Sequence, residues 1–185
     1  MNKRIIFVLG GARSGKSVFA IQQASKISGK KAYIATAEAL DEEMQQRIEE
    51  HKRQRGNDWI TYEEPLKIAE VIKEIDDHYS VIVIDCITLW LSNLIHTELV
   101  TSDEINYLMD VLTGNKSKIE MDRPSPESPI FIVSNEVGMG IVPDNEIARR
   151  FRDMAGLLNQ KIAEIADEVY ITFSGIPVKV KYNNV

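Results

Sequence analysis

The segment GGARSGKS, residues 10–17, constrains the fold of this 185-residue chain more than any other part of its sequence. It matches the pattern G-x-x-x-x-G-K-[ST] at every fixed position, and it lies between a short apolar run and an amphipathic stretch. Glycines in such a loop let successive backbone N–H groups point at one phosphate group, and the following helix adds its positive N-terminal end. The segment therefore predicts a strand, a phosphate-binding loop and a helix, in that order.

Side chains of this loop have expected chemical roles. Lys16 would reach the β- and γ-phosphates of a nucleoside triphosphate, and the Ser17 hydroxyl would complete the coordination shell of Mg²⁺. Arg13 lies inside the loop, where its position indicates a further phosphate contact. The predicted nucleotide-binding residues of the loop are Gly10, Gly11, Ala12, Arg13, Ser14, Gly15, Lys16 and Ser17.

Apolar runs alternate with amphipathic stretches along the rest of the chain. Short runs rich in isoleucine and valine predict strands at 4–9, 32–35, 81–84, 130–133 and 169–173, with an edge strand at 174–181. Helical patterns cover 16–27, 41–53, 66–75 and 145–165, and the proline-containing segment 113–129 predicts a surface loop. This alternation predicts an α/β fold, with a mostly parallel sheet flanked by helices in a single domain over 1–185.

Charge and composition exclude several classes of protein. A net charge of -6 argues against binding to nucleic acid or to an anionic membrane surface. Apolar runs all fall short of the ~18 residues that a membrane-spanning helix needs. The single cysteine, Cys86, excludes an internal disulfide and fits a reducing compartment. We therefore expect a cytoplasmic protein without nucleic-acid partners or membrane insertion.

Asp85 ends the apolar run VIVID of the predicted strand 81–84. In phosphate-loop proteins, an acidic residue at the carboxyl end of a neighbouring strand helps to hold Mg²⁺. An aspartate can also simply close a strand. The complete phosphate loop favours the magnesium role, with Ser17 and Asp85 as the metal-binding pair.

His51 lies near the end of the predicted helix 41–53, where it continues an apolar stripe formed by Leu40, Met44 and Ile48. One interpretation is a half-buried structural histidine. The other is a nucleophile, because neutral imidazole attacks phosphorus and can hold a transferred phosphoryl or nucleotidyl group. The cations in 52–55 would support a triphosphate, but they would equally satisfy the last carbonyls of the helix. The residues alone leave both interpretations open.

A second glycine-containing segment, SNEVGMGIVPDN, follows the predicted strand 130–133. Residues 134–136 would emerge at the carboxyl end of this strand, where ligands bind in open α/β sheets. Asp144 or Asn145 would cap the long helix that follows. This segment is either a substrate-facing loop or only a connection between two elements.

Four stretches together resemble one enzyme family. They are GGARSGKS, YIATAEALDEEMQQRIEEHKRQR, DCIT and SNEVGMGIVPDNEIARRFRDMAGLLNQKIAEIADEVY, and the likeness extends over about 4–181. The chain resembles the bifunctional adenosylcobinamide kinase/adenosylcobinamide-phosphate guanylyltransferases of cobalamin biosynthesis. This resemblance implies a RecA-like P-loop NTPase fold.

The resemblance implies two successive reactions. ATP or GTP phosphorylates the aminopropanol hydroxyl of adenosylcobinamide, and GTP then transfers GMP to adenosylcobinamide phosphate through a guanylyl-histidine intermediate. The product is adenosyl-GDP-cobinamide, Mg²⁺ is the expected cofactor, and a homotrimer is the expected assembly. Alternatives are a P-loop small-molecule kinase without nucleotidyl transfer and a noncatalytic RecA-type regulator.

The same resemblance assigns residues outside the phosphate loop. His51 matches the histidine that carries GMP, and Glu50 stands where relatives often have a second histidine. Asp85 matches a nucleotide contact, a role that competes with magnesium binding. The implied nucleotide contacts are Ala35, Thr36, Ala37, Lys52, Arg53, Gln54, Arg55, Glu63 and Asp85.

Overall fold

A computed structural model describes residues 4–38, 42, 46, 49, 52–53, 55–56, 58–97, 101–114 and 128–182. The strands are β1 (Ile5–Gly10), β2 (Lys31–Ala35), β3 (Trp59–Glu63), β4 (Val81–Asp85), β5 (Ile130–Asn135), β6 (Glu168–Phe173) and β7 (Ile176–Lys181). The α-helices are α1 (Lys16–Ser25), α2 (Ile68–Ile75), α3 (Ile87–Ile95), α4 (Thr101–Thr113) and α5 (Glu146–Ile165), and a 3₁₀ turn (Asp76–His78) follows α2.

The strands form one sheet in the order β3-β2-β4-β5-β1-β6-β7. Every neighbouring pair is parallel except β6 and β7, which form an antiparallel hairpin. The predicted α/β class and the extra edge strand are therefore confirmed. Because the six parallel strands run the same way, their carboxyl ends meet at one edge of the sheet.

Helices cover both faces of this sheet, which explains why its central strands are apolar at nearly every position. Residues of α2, α3, α4 and α5 pack on one face around the fully buried Trp90, Leu94 and Leu108. On the other face, α1 packs against the described core and contributes Ala20 and Ala24. The phosphate loop begins on β1, a central strand whose residues pack alternately into the two cores.

Among the described residues, one strand and two α-helices have no counterpart in the sequence prediction. β3 is an edge strand with the sequence WITYE, and its half-exposed residues lack the apolar run that marked the other strands. α3 starts two residues after β4 and is apolar over most of its length, so it shows little helical periodicity. The length of this helix and its packing against other elements identify it better than an amphipathic pattern does. α4 lies in a part of the sequence for which no element was predicted.

The predicted helix 41–53 is described only in part. Glu42, Gln46, Glu49, Lys52 and Arg53 are helical, while the remaining positions lie outside the described residues. Most of the predicted surface loop, 115–127, also lies outside them. The long helix α5 begins as predicted, with the Asn145 side chain accepting a 2.7 Å hydrogen bond from the backbone N–H of Ala148.

Candidate active site

The phosphate loop turns from β1 into α1 beside the β6–β7 hairpin. Gly15 has a φ of 94°, and a Cβ atom there would lie 3.1 Å from the Gly175 Cα atom. A Cβ atom at Gly10 would lie 2.4 Å from the Thr172 hydroxyl. Both glycines are therefore required by the close approach of the hairpin to the loop.

Hydrogen bonds hold the loop against the same hairpin. The Ser14 and Thr172 hydroxyls are 2.7 Å apart, and the Gly175 backbone N–H donates to the Ser14 carbonyl at 2.9 Å. Within the loop, the Ser14 N–H donates to the Gly11 carbonyl at 3.3 Å. The shape of the loop is fixed from outside as well as by its own glycines.

Lys16 is buried, and its ammonium group donates to the Gly11 carbonyl at 2.6 Å. Burial lowers its pKa, while Cys86 and Asp85 act in the opposite direction. These interactions place the Lys16 charge near the end of β4. Arg13 is exposed with a φ of 56°, and the half-buried Ser17 lies in the first turn of α1.

Three predicted nucleotide contacts lie side by side at the carboxyl edge of the sheet. The strand register pairs Ala35 of β2 with Glu63 of β3 on one side and with Asp85 of β4 on the other. In a parallel sheet, paired residues point to the same face, here the face that α1 covers. The fold thus brings these distant positions together.

Thr36 joins the ends of β2 and β4. Its hydroxyl donates to the Cys86 carbonyl and accepts from the Cys86 backbone N–H, both at 2.8 Å. Its own N–H donates to the Asp85 carbonyl at 3.2 Å, and the Asn93 side chain donates to its carbonyl at 2.8 Å. The polar groups of Thr36 therefore bond within the protein, and the half-buried Ala37 follows at the rim.

Charged residues extend this edge beyond β3. Lys52 forms an exposed ion pair with Glu63, so the predicted helix end lies against the sheet edge. Arg53 is exposed at the same helix end. His51 and Gln54 lie outside the described residues. The position of Lys52 nevertheless fixes where the chain runs immediately after His51.

Arg55 and Tyr33 form a contact that the sequence analysis missed. The Arg55 guanidinium carbon lies 3.6 Å from the centroid of the Tyr33 ring, and the Tyr33 hydroxyl donates to Asp85 Oδ2 at 2.7 Å. Burial lowers the pKa of Arg55, and burial together with Asp85 raises the pKa of Tyr33 well above its ordinary value. A tyrosine inside an otherwise aliphatic and alanine-rich run was the only signal in the sequence.

Ser134, at the end of β5, makes structural hydrogen bonds. Its hydroxyl donates to Asn159 Oδ1 at 2.7 Å and lies 3.0 Å from the Thr88 hydroxyl. Thr88 also accepts from the Asn135 backbone N–H at 2.6 Å. This buried network joins β5 to α3 and α5, which favours a structural role for Ser134.

The loop after β5 passes directly beside the phosphate loop. The Glu136 backbone N–H donates to the Gly10 carbonyl at 2.9 Å, and its carboxylate accepts from the Gly138 N–H at 2.7 Å. Met139 and Ile141 beyond it are 74% and 96% exposed. An apolar, exposed segment thus adjoins the predicted triphosphate site.

The donor groups at this edge fit magnesium better than a transition metal. Among the described residues, no group of three or more His, Cys, Asp or Glu side chains could hold a metal ion. Mg²⁺ in nucleotide enzymes needs only one or two protein oxygens, because phosphates and water complete its shell. Cys86 is buried, and burial raises its pKa to about 12, so it supplies no thiolate.

Comparison with known proteins identifies the family. The family model described as "Cobinamide kinase / cobinamide phosphate guanyltransferase" matches residues 6–180. The chain belongs to this family. It is therefore an enzyme of cobalamin biosynthesis with kinase and guanylyltransferase activities, which confirms the main functional prediction over the two alternatives.

Curated relatives match over nearly their whole length. A Pseudomonas aeruginosa protein named "Bifunctional adenosylcobalamin biosynthesis protein CobP" is 40% identical over 94% of this chain and 95% of its own. An Escherichia coli protein named "Bifunctional adenosylcobalamin biosynthesis protein CobU" is 38% identical over 96% of this chain and 99% of its own. The similarity to these relatives thus extends over nearly the whole chain.

A solved structure supports the fold independently. The RadB recombinase superposes with a TM-score of 0.51 at 16% sequence identity, over 91% of this chain and 73% of its own. At this identity the likeness concerns the fold alone, and it confirms the predicted RecA-like architecture. Within the described ranges, none of the helices has the length and apolar character to cross a membrane.

Proposed function

We propose that this enzyme phosphorylates the aminopropanol hydroxyl of adenosylcobinamide with ATP or GTP, and that His51 then carries GMP from GTP to the resulting phosphate. The observation that supports this most is the convergence of Lys16, Asp85, Glu63 and Arg55 at one edge of the sheet. The chain immediately after His51 reaches the same edge through the Lys52–Glu63 ion pair. A nucleotide at the phosphate loop would therefore lie near the chain that follows His51.

The guanylyl transfer divides into two displacements at one phosphorus atom. A ring nitrogen of neutral His51 attacks the α-phosphate of GTP, an N–P bond forms, and the bond to the leaving pyrophosphate breaks. A phosphate oxygen of adenosylcobinamide phosphate then attacks the same phosphorus, and the N–P bond breaks. The product is adenosyl-GDP-cobinamide, and His51 returns to its neutral state for the next turnover.

Cationic groups of the site serve both reactions. Lys16 would contact the β- and γ-phosphates, and Arg13, Lys52 and Arg55 would add positive charge around the triphosphate. The Ser17 hydroxyl and the Asp85 carboxylate would hold Mg²⁺, which would neutralise the charge that develops on the leaving nucleoside diphosphate or pyrophosphate. The remaining nucleotide contacts of the proposal are Gly10, Gly11, Ala12, Ser14, Gly15, Ala35, Thr36, Ala37, Arg53, Gln54 and Glu63.

A homotrimer is the proposed assembly. The edge strand β7 exposes Ile176, Val178 and Val180 at 45–66% of their surface. Exposed aliphatic side chains in a row along one strand are typical of a protein–protein contact. The family resemblance supports three subunits.

Variants of two histidines test the proposed division of labour. We expect His51→Ala to abolish guanylyl transfer while leaving phosphorylation of adenosylcobinamide detectable. His78→Ala is the matched control, because His78 is exposed in the 3₁₀ turn and its loss should change neither activity. Equal loss of both activities in a folded His51→Ala protein, or persistent guanylyl transfer, would contradict the assignment.

A further inference from the structure

Tyr33 contacts two proposed nucleotide-binding residues at once. It is 2% exposed, it lies on β2, and it points toward the core beneath α1. Its hydroxyl donates to Asp85 Oδ2 at 2.7 Å, and its ring faces the Arg55 guanidinium, with 3.6 Å between the guanidinium carbon and the ring centroid. One buried side chain thus joins the end of β4 to the segment that follows His51.

The two ends of Tyr33 make different kinds of interaction. The phenol donates to a carboxylate, and hydrogen bonds to a charged acceptor are stronger than those between neutral groups. The ring presents its electron-rich face to a cation, an attraction that increases when both groups are removed from water. Trp59 packs its ring edge-to-face against Tyr33 at a centroid distance of 6.3 Å, which restricts the tilt of the ring.

The guanidinium group of Arg55 is not fully hydrogen-bonded. It is 8% exposed, and its Nη1 atom is buried without a hydrogen-bond partner among the described residues. An unpaired buried donor on a cation is unfavourable, and a phosphate oxygen would satisfy it with the planar geometry that guanidinium prefers. The stacked Tyr33 ring fixes the plane in which that donor points.

We propose that Tyr33 is a positioning residue whose hydroxyl orients the Asp85 carboxylate and whose ring orients the Arg55 guanidinium. The proposal rests on the nucleotide roles assigned above to Asp85 and Arg55. The hydroxyl acts mainly on nucleotide binding, because Asp85 adjoins Lys16 and the phosphate loop. The ring acts mainly on formation of the guanylyl-histidine, because Arg55 follows His51 by four residues.

Two substitutions at Tyr33 separate these effects. Tyr33→Phe keeps the ring but removes the bond to Asp85, and Tyr33→Leu removes both interactions. The matched control is Tyr62→Phe. Tyr62 lies on the neighbouring strand β3 and packs in the opposite core, and its hydroxyl lies 2.7 Å from the Tyr79 hydroxyl. Each protein is incubated with Mg²⁺ and GTP labelled on the α-phosphate, and the rate of protein labelling is measured against GTP concentration.

We expect Tyr33→Phe to raise the half-saturating GTP concentration about three- to tenfold while the limiting rate stays within about twofold of the parent. Tyr33→Leu should also lower the limiting rate by about tenfold or more. Tyr62→Phe should change neither quantity. This separation between binding and rate would not result from a general loss of stability.

The proposal is overturned if the parent is labelled on His51 but Tyr33→Phe and Tyr33→Leu both behave like Tyr62→Phe. Absence of label in the parent would instead contradict the proposed function itself. If Tyr33→Leu does not fold, Tyr33→Phe is combined with Asp85→Asn. The proposal then predicts that Tyr33→Phe has no further effect on half-saturation once Asp85 is replaced, and additive effects would contradict it.

Discussion

Lys16 illustrates how a single charged side chain in this site serves two reactions. It is buried beside the phosphate loop, and its ammonium group already hydrogen-bonds to the loop carbonyl of Gly11. A triphosphate would replace that carbonyl as the partner of the ammonium group. Because both proposed reactions, phosphorylation and guanylyl transfer, begin with a triphosphate in this loop, loss of Lys16 should impair both.

We expect Lys16→Ala to weaken GTP binding by about 10- to 100-fold, the range for loss of a charged hydrogen bond. Isothermal titration calorimetry measures this directly, without dependence on turnover. Lys26→Ala is the matched control, because Lys26 is an exposed lysine next to the other end of α1 and donates to the Gln23 side chain. An unchanged GTP affinity in Lys16→Ala would contradict the role of the loop.

Single residues of the site were predictable when a local pattern identified them. The phosphate loop has a fixed spacing, and Asp85 ends an apolar run, so sequence alone indicated both. Tyr33 has no such pattern, because its partners are distant in sequence. The pairing of β2 with β4 brings Asp85 to it, and the path of the chain before β3 brings Arg55 to it. Thr36 was predicted as a nucleotide contact from family resemblance, and only the structure shows that its hydroxyl bonds to Cys86.

At the scale of elements, the β6–β7 hairpin supports the phosphate loop from a distance. Gly175 in its turn contacts Ser14 and Gly15, while the opposite end of the hairpin is held by the buried Glu168. Burial alone would raise the pKa of this carboxyl, but hydrogen bonds from Lys179, Arg4 and Tyr170 lower it to about 2. The ionised carboxylate therefore stabilises the fold.

Glu168→Gln should lower the free energy of unfolding by about 3 kcal/mol at neutral pH, from a pKa shift between 4.5 and about 2. Because the folded pKa is the lower one, this contribution is present above about pH 4.5 and is lost as the pH falls toward 2. Urea unfolding of the parent and the variant at pH 7 and pH 3 measures the difference.

The exposed Glu164 supplies the control for that measurement, since Glu164→Gln should change stability little at either pH. A difference between Glu168→Gln and the parent that stays constant from pH 7 to pH 3 would contradict the ionic account. So would a variant at neutral pH as stable as the parent.

Elements were predictable where apolar periodicity was strong. Every predicted strand is present, and the helices that begin near 16, 66 and 145 are present with ends shifted by two residues or fewer. β3 was missed because an edge strand with polar residues has no buried run. α3 was missed because burial on several sides removes the polar face from which periodicity is recognised.

At the scale of the molecule, the site is assembled from strands that are distant in sequence. β3, β2, β4, β5 and β1 are neighbours in the sheet, so residues from Gly10 to Glu136 meet at one edge. The outer strand β7, on the side of the sheet farthest from β3, carries the exposed aliphatic row that the proposed trimer would cover. Sequence alone predicted the class of fold, but strand order decided which residues became neighbours.

We expect the protein to elute as a trimer in size-exclusion chromatography with light scattering, and Val178→Lys to shift it toward monomers. A lysine ammonium buried in an apolar contact without a partner is unfavourable. Ile60→Lys is the matched control, because Ile60 is similarly exposed, at 48% against 45%, on the other edge strand. A monomeric parent protein, or a Val178→Lys variant that remains trimeric, would contradict this arrangement.

The most direct test of nucleotidyl transfer through His51 uses the parent protein, Mg²⁺ and GTP labelled on the α-phosphate, without any corrinoid. We expect label that survives denaturation and base, is released by mild acid as a phosphoramidate would be, and maps to the peptide containing His51. Addition of adenosylcobinamide phosphate should then remove the label. Phosphorylation of adenosylcobinamide without any protein-bound label would contradict nucleotidyl transfer through His51 and leave only the kinase activity.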